Sequence, residues 1–169
     1  MIMIYHSLTE TESPKKLFST RILAVQALYA NEVCHDLKSY ADLKKEFIEY
    51  HQEKYDIADL DKDILDLLLR ITIENKESID KEIAKFLNED WHISRLPEVV
   101  LAIFRVSFSE IVYLKNRNHS FLIYEYLQVA KSLNYQDDIK FINAVLDGFA
   151  KKDWEEVKTA RVTTNNMSK

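Results

Sequence analysis

A single glycine, Gly148, and two prolines, Pro14 and Pro97, punctuate a chain of 169 residues. Tight β-hairpins draw on glycine for their left-handed turn positions, so a chain this poor in it is badly suited to a hairpin-rich sheet. What remains is a helical chain whose helices end without glycine. One glycine also excludes a Walker loop and a dinucleotide fingerprint, where several residues without Cβ let the backbone approach phosphate. The apolar share of 47%, with 8 Phe, 9 Tyr and 2 Trp, suffices for the core of one domain.

Apolar spacing predicts where the helices lie. Ser13-Pro14 joins a hydroxyl N-cap to a first-turn proline, and Phe18, Ile22, Val25 and Tyr29 carry a first helix towards Val33. Ser39 is expected to cap a second with Leu43, Phe47 and Ile48, Asp59 to Asn75 forms a third, and Ser78 is expected to cap a short fourth. Pro97 opens a fifth, Val99 to Leu114, whose apolar residues cover almost its whole circumference; such a helix is central and buried. Ser120 to Leu133 and Asp137 to Trp154 complete an all-α domain of seven helices at 13–156. Residues 1–12 read as a mobile arm and 157–169 as a polar tail in which the periodicity ends.

Cys34 is the sole cysteine, which leaves neither a disulfide framework nor a thiolate cluster and suits a reducing compartment. The apolar opening, Met1 to His6, is short and lacks a basic flank, so neither signal peptide nor membrane span is expected and the chain reads as cytoplasmic. Residues 31–90 hold 17 acids against 9 bases, a balance of -8, which leaves +3 for the rest of a chain whose total is -5. An anion-binding face is therefore expected outside that segment.

Several residues break the pattern. Lys15, Lys16 and Arg21 sit in the opening turns of the first helix, where cations oppose the macrodipole by about 0.3–1 kcal/mol each. A phosphate would reverse that cost; a solvated basic turn is the alternative. Arg21 also falls inside the apolar arc, as does Glu110 of the fifth helix. A charge there needs a partner, either a bound protein or an intramolecular ion pair or tyrosine hydrogen bond, and spacing alone favours the intramolecular kind.

On the sixth helix Phe121 and Tyr124 project outward among Glu125, Gln128 and Lys131, placed either to stack on nucleobases or to pack under a neighbouring segment. Lys140, Asn143 and Asp147 form a polar strip on the last helix. Glu32 with His35 and Glu89 with His92 have the Glu-x-x-His spacing of di-iron bundles, and Glu110 and Glu125 are the nominal further carboxylates. Both pairs fall at predicted helix ends, so a di-iron bundle is a third and weaker reading.

The run Ala24-Val25-Gln26-Ala27-Leu28-Tyr29 after Arg21 and the distant Lys140-Phe141-Ile142-Asn143-Ala144-Val145-Leu146-Asp147 stand with Arg95-Leu96-Pro97, Phe104-Arg105-Val106, Glu110 and Ala130-Lys131. Together they resemble the NusB family of transcription antitermination factors across about residues 15–150. The resemblance implies a non-enzymatic, cofactor-free protein of two packed small helical bundles. It implies pairing with the ribosomal protein that doubles as NusE, binding of the boxA element of ribosomal RNA operon transcripts, and through these an indirect tie to the RNA polymerase elongation complex. It carries Arg21 to a basic first turn, Tyr29 and Glu110 to the NusE-facing surface, and Lys140, Asn143 and Asp147 to a strip where RNA and partner meet.

On this reading Lys15, Lys16, Arg21 and Lys140 neutralise phosphates and Phe121 or Tyr124 stacks a base, with Asn143 beside them; Tyr29, Glu110 and Asp147 meet the partner protein. The chain departs from the family where Leu17, Phe18 and Ser19 stand in place of an arginine cluster, Asn118 in place of proline and Tyr124 in place of asparagine. Those departures leave room for the alternative, a protein-interaction module that keeps the fold without RNA binding.

Overall fold

The computed structural model describes residues 14–33, 40–43, 45–46, 60–87, 92–115 and 117–166, with side chains for all of these except 14 and 153–166. Ser13, Ser39, Phe47, Ile48, Asp59 and the arm 1–12 lie outside these residues. The described residues form seven helices and no strand: α1 (Pro14–Val33), α2 (helical at 40–43 and 45–46), α3 (Lys62–Glu74), α4 (Lys76–Ala84), α5 (Glu98–Phe108), α6 (His119–Ser132) and α7 (Ile139–Asn166). Short 3-10 turns, Ile93–Arg95 and Gln136–Asp138, precede α5 and α7.

The all-round apolar helix is the axis of the molecule, as its sequence predicts. Every residue from Val100 to Ile111 is buried. Helices α1, α3 and α4 form one group and α6 and α7 another around α5, the groups meeting where α1 touches α6 and sharing one continuous core. Phe141 meets Phe104 edge-on at 5.7 Å and Phe149 meets Phe108 at 5.0 Å, so α7 runs in the same direction as α5.

Local signals explain the starts and stops, and correct several of the expected ones. Asp61 caps α3, its Oδ1 accepting the amides of Asp63 at 3.1 Å and Ile64 at 3.0 Å. Ser78 does not cap α4: the helix begins at Lys76, so the serine lies inside it. Helix α6 begins at His119, one residue before the expected Ser120, because Asn118 caps it, accepting from the amides of Ser120 and Phe121. At its far end Asn134 takes the left-handed conformation (φ 66) that glycine usually fills. Its amide reaches Lys131 O, and that of Tyr135 reaches Ala130 O, closing the helix without glycine.

The fifth helix does not run uniformly to Leu114. Residues Ser109–Leu114 widen into a π-turn that ends at Lys115, φ 49, whose amide reaches back to Glu110 O at 3.0 Å. The Ser109 hydroxyl donates to Arg105 O and pairs with the Thr72 hydroxyl at 2.8 Å, competing with the backbone amide that α-geometry would use. Helix α7 also continues past Trp154 to Asn166, into the segment that reads as a polar tail. Without Pro or Gly to stop it, propagation continues after the apolar pattern ends.

Gly148 serves neither turn nor phosphate. A Cβ there would lie 2.5 Å from Phe86 Cδ1, and Phe86 is held edge-on against Phe149 at 5.3 Å. Gly148→Ala is therefore expected to lower stability by about 1–2 kcal/mol despite alanine's higher helix propensity, because overpacking outweighs it. A urea midpoint at or above that of the parent protein would show that Phe86 yields freely.

Candidate nucleic-acid interface

The two charges that interrupt apolar arcs meet each other. Arg21 is 1% exposed and Glu110 0%. The guanidinium donates through Nε to Glu110 Oε2 and through Nη2 to Glu110 Oε1, both at 2.8 Å, the two-pronged geometry that fits arginine to carboxylate. Nη1 donates to Glu125 Oε2 at 3.0 Å, and the buried Tyr126 hydroxyl donates to Glu110 Oε2 at 2.6 Å. Four groups from α1, α5 and α6 thus form one network inside the protein.

This placement corrects the direct roles expected of Arg21 and Glu110. Neither reaches an external phosphate or partner from inside the core. It also removes the carboxylate pair required by a di-iron reading, since the guanidinium already lies between Glu110 and Glu125. The remaining candidate, Glu32, bonds Lys76 Nζ at 2.6 Å, while His35 and Glu89 lie outside the described residues.

The network's electrostatics follow from its burial. Desolvation pulls the Arg21 pKa down, but the charge and hydrogen bonds of Glu110, with Tyr126 and Glu125, outweigh it and hold it above its ordinary value. Burial, then the charge of Glu110, pushes the Tyr126 hydroxyl well up. Glu125 is raised, first by burial, then by Glu110, against the opposing pull of Arg21.

A carboxyl raised by folding binds its proton more tightly in the native state. Its contribution to stability is therefore greatest at acid pH and declines as pH rises through the ordinary carboxylate range to the raised value. Glu125→Gln keeps an acceptor for Arg21, so we expect it to match the parent protein near pH 4 and to exceed it at neutral pH. Urea midpoints across that range check this; a variant that loses ground as pH rises would reverse the sign.

The outer surface over the network is aromatic. Phe121 is 37% exposed with Arg21 Cζ 5.8 Å from its ring centroid, and Tyr124 is 59% exposed. Their outward placement agrees with the sequence, but Glu125 is 8% exposed and turns inward to Arg21, away from Gln128 and Lys131. Lys15 is exposed and Lys16 half-buried on the same helix as Arg21. Lys115, Arg117 and His119, basic residues in or beside the connection into α6, were not singled out by the sequence reading; alternation of basic residues between two helices was the available signal.

Tyr29 lies two turns beyond Arg21 on α1, about 12 Å along the axis. There Val25, Gln26, Tyr29, Val99 and Leu133 line a half-open groove of about 180 Å³. With Glu110 near Arg21 and Val99 near Tyr29, α5 runs antiparallel to α1. Lys140 and Asp147 are exposed and Asn143 half-buried along the outer side of α7. A second ion pair joins α4 to α5: the buried Arg105 donates to both oxygens of the half-buried Asp80, at 2.7 and 2.8 Å. Among the described residues no group of three His, Cys, Asp or Glu could hold a metal, and no helix is long and apolar enough to cross a membrane.

Known proteins resemble the chain throughout this architecture. The transcription antitermination protein NusB of Thermodesulfovibrio yellowstonii is 31% identical over 137 residues, 79% of this chain and 90% of that protein. The protein of the same name from Bartonella tribocorum is 31% identical over 144 residues, 83% of this chain and 91% of its own length. The solved structure of T. maritima NusB superposes with a TM-score of 0.68 at 27% identity, covering 83% of this chain and 93% of that one. The model of the NusB family matches residues 19–151, which include the buried network, both exposed aromatics and the strip on α7, and the chain belongs to that family.

Proposed function

We infer that this NusB-family transcription antitermination factor works as a scaffold without turnover. It pairs with the NusE-like small-subunit ribosomal protein, and the pair holds boxA-type single-stranded RNA of ribosomal RNA operon transcripts near the elongating RNA polymerase in the cytoplasm. The observation that carries the reading is the exposed aromatic pair, Phe121 and Tyr124, on a helix pinned by a buried arginine to the helix bearing Lys15 and Lys16. Aromatic faces take bases and cations take phosphates, which is what an unpaired strand presents.

The parts divide by surface. Lys15, Lys16 and Lys140 neutralise phosphates, Phe121 and Tyr124 stack bases, and Asn143 adds hydrogen bonds. The groove beside Tyr29 receives the ribosomal protein, with Asp147 at the second contact. Arg21 and Glu110 act from inside by fixing α1 and α6 to α5. The reading requires no cofactor or metal.

Three phosphate contacts at about -0.7 each give an expected slope of log K against log salt of about -2. Removing two of them in Lys15→Ala/Lys16→Ala should bring the slope to about -0.7. Titration of labelled boxA-type RNA with the heterodimer at several salt concentrations measures both. Salt-insensitive binding, or an unchanged slope in the double variant, would place the phosphates elsewhere. Retained partner binding with no gain in RNA affinity would favour a protein-interaction module instead.

A further inference from the structure

Glu110 and Glu125 share one guanidinium but are not equally satisfied. Both oxygens of Glu110 are engaged, by Arg21 and Tyr126. Glu125 is 8% exposed and gives Oε2 to Arg21, while its other oxygen receives no donor among the described residues. The Glu125 side chain keeps 10% of its surface in solvent, so an acceptor that takes no donor from the described residues is open to a ligand N–H from outside.

That oxygen belongs to a residue one turn from an open aromatic face. Phe121 and Glu125 are four residues apart on α6 and hence neighbours on one ridge. Arg21 holds both, bonding the carboxylate at 3.0 Å and lying 5.8 Å from the ring centroid, within reach of a cation–π contact. The ring is therefore oriented while part of it remains in solvent. Asn118 fixes its backbone by accepting the Phe121 amide at the helix start.

Charge then selects what can sit there. One guanidinium against two carboxylates leaves the cluster with a net negative charge, which repels a phosphate and favours a hydrogen-bond donor. Cytosine, adenine and guanine carry exocyclic amino groups. Uracil offers a single N–H flanked by two carbonyl oxygens, which the carboxylate repels.

We propose that Phe121 and Glu125 form a base-reading site, in which an unpaired amino-bearing nucleobase stacks on the Phe121 ring and donates a hydrogen bond to Oε1 of Glu125. The site rests on the RNA-binding reading above and adds to it a preference among bases. Arg21 is its positioning residue, acting through the ring and the carboxylate.

The test uses the full chain with its ribosomal partner and short single-stranded oligocytidine, oligoadenosine and oligouridine as probes. The unaltered protein is expected to bind the cytidine and adenosine oligomers about tenfold more tightly than the uridine oligomer. Glu125→Gln, whose amide donates as well as accepts, should close that gap, and Phe121→Leu should weaken all three. Equal affinities for the three oligomers, or a preference that survives Glu125→Gln, would overturn base reading while leaving RNA binding intact. Failure of every oligomer to bind would overturn the RNA-binding reading and this site with it. The comparison among oligomers needs no altered protein, so variant folding does not enter it.

Discussion

Replacing Arg21 by Met is expected to lower folding stability by about 3–5 kcal/mol, because it strands the wholly buried Glu110 without its counter-charge. The hydrocarbon volume is roughly kept, so the loss measures the unpaired carboxylate rather than a cavity. Removing the carboxylate too should recover much of the stability, but Arg21→Met/Glu110→Leu leaves the buried Tyr126 hydroxyl without its acceptor. Recovery should be fullest when Tyr126→Phe is added, since apolar replacement of a buried ion cluster is often neutral or stabilising. Urea midpoints of the three proteins decide it. An Arg21→Met variant within about 1 kcal/mol of the parent would mean that water reaches Glu110 and the network is not closed. The same result bears on function: RNA binding lost on substituting Arg21 reports the helix framework before it reports any phosphate.

The second large effect is on RNA. Phe121→Ala/Tyr124→Ala is expected to weaken RNA binding by the heterodimer by about 1–3 kcal/mol for each base released, roughly 5–150-fold per base. Because this loss is in stacking, the salt slope should stay near its starting value, unlike that of the lysine double variant. Anisotropy titrations at two salt concentrations separate the cases. Unchanged affinity would move the bases to another face. A changed slope would mean that the substitutions had disturbed the basic end of α1.

Much of the fold was legible because α5 is apolar on all sides, and a helix of that kind has few places to go but the centre. Single boundary residues were not. Ser78 has the chemistry of a cap but lies inside α4, and a local window does not tell a capping serine from one a turn further in. The π-turn begins where the Ser109 hydroxyl meets Thr72 across helices, a contact that no window around Ser109 contains. The end of α7 was missed because periodicity marks where packing stops, which is earlier than where the backbone uncoils.

The site was half legible for a similar reason. Arg21 and Glu110 stood out because each interrupts an apolar arc, and the intramolecular pair that spacing favoured is what they form. Glu125 stood out only as a nominal metal carboxylate, not as a partner of Arg21. It lies at the edge of its helix's core arc beside Gln128 and Lys131, and only the packing of α1 against α6 turns that flank inward. A projection of one helix shows its apolar side and says nothing of which neighbour covers the margin.

The proposed scaffold joins a ribosomal protein and an unpaired RNA strand on one rigid frame. The most direct measurement is the affinity of labelled boxA-type RNA for this chain alone and with the NusE-like protein at fixed salt. Tighter binding to the pair is expected, with a loss of that affinity when Phe121 and Tyr124 are truncated. Equal, weak binding with and without a partner that demonstrably associates would contradict it.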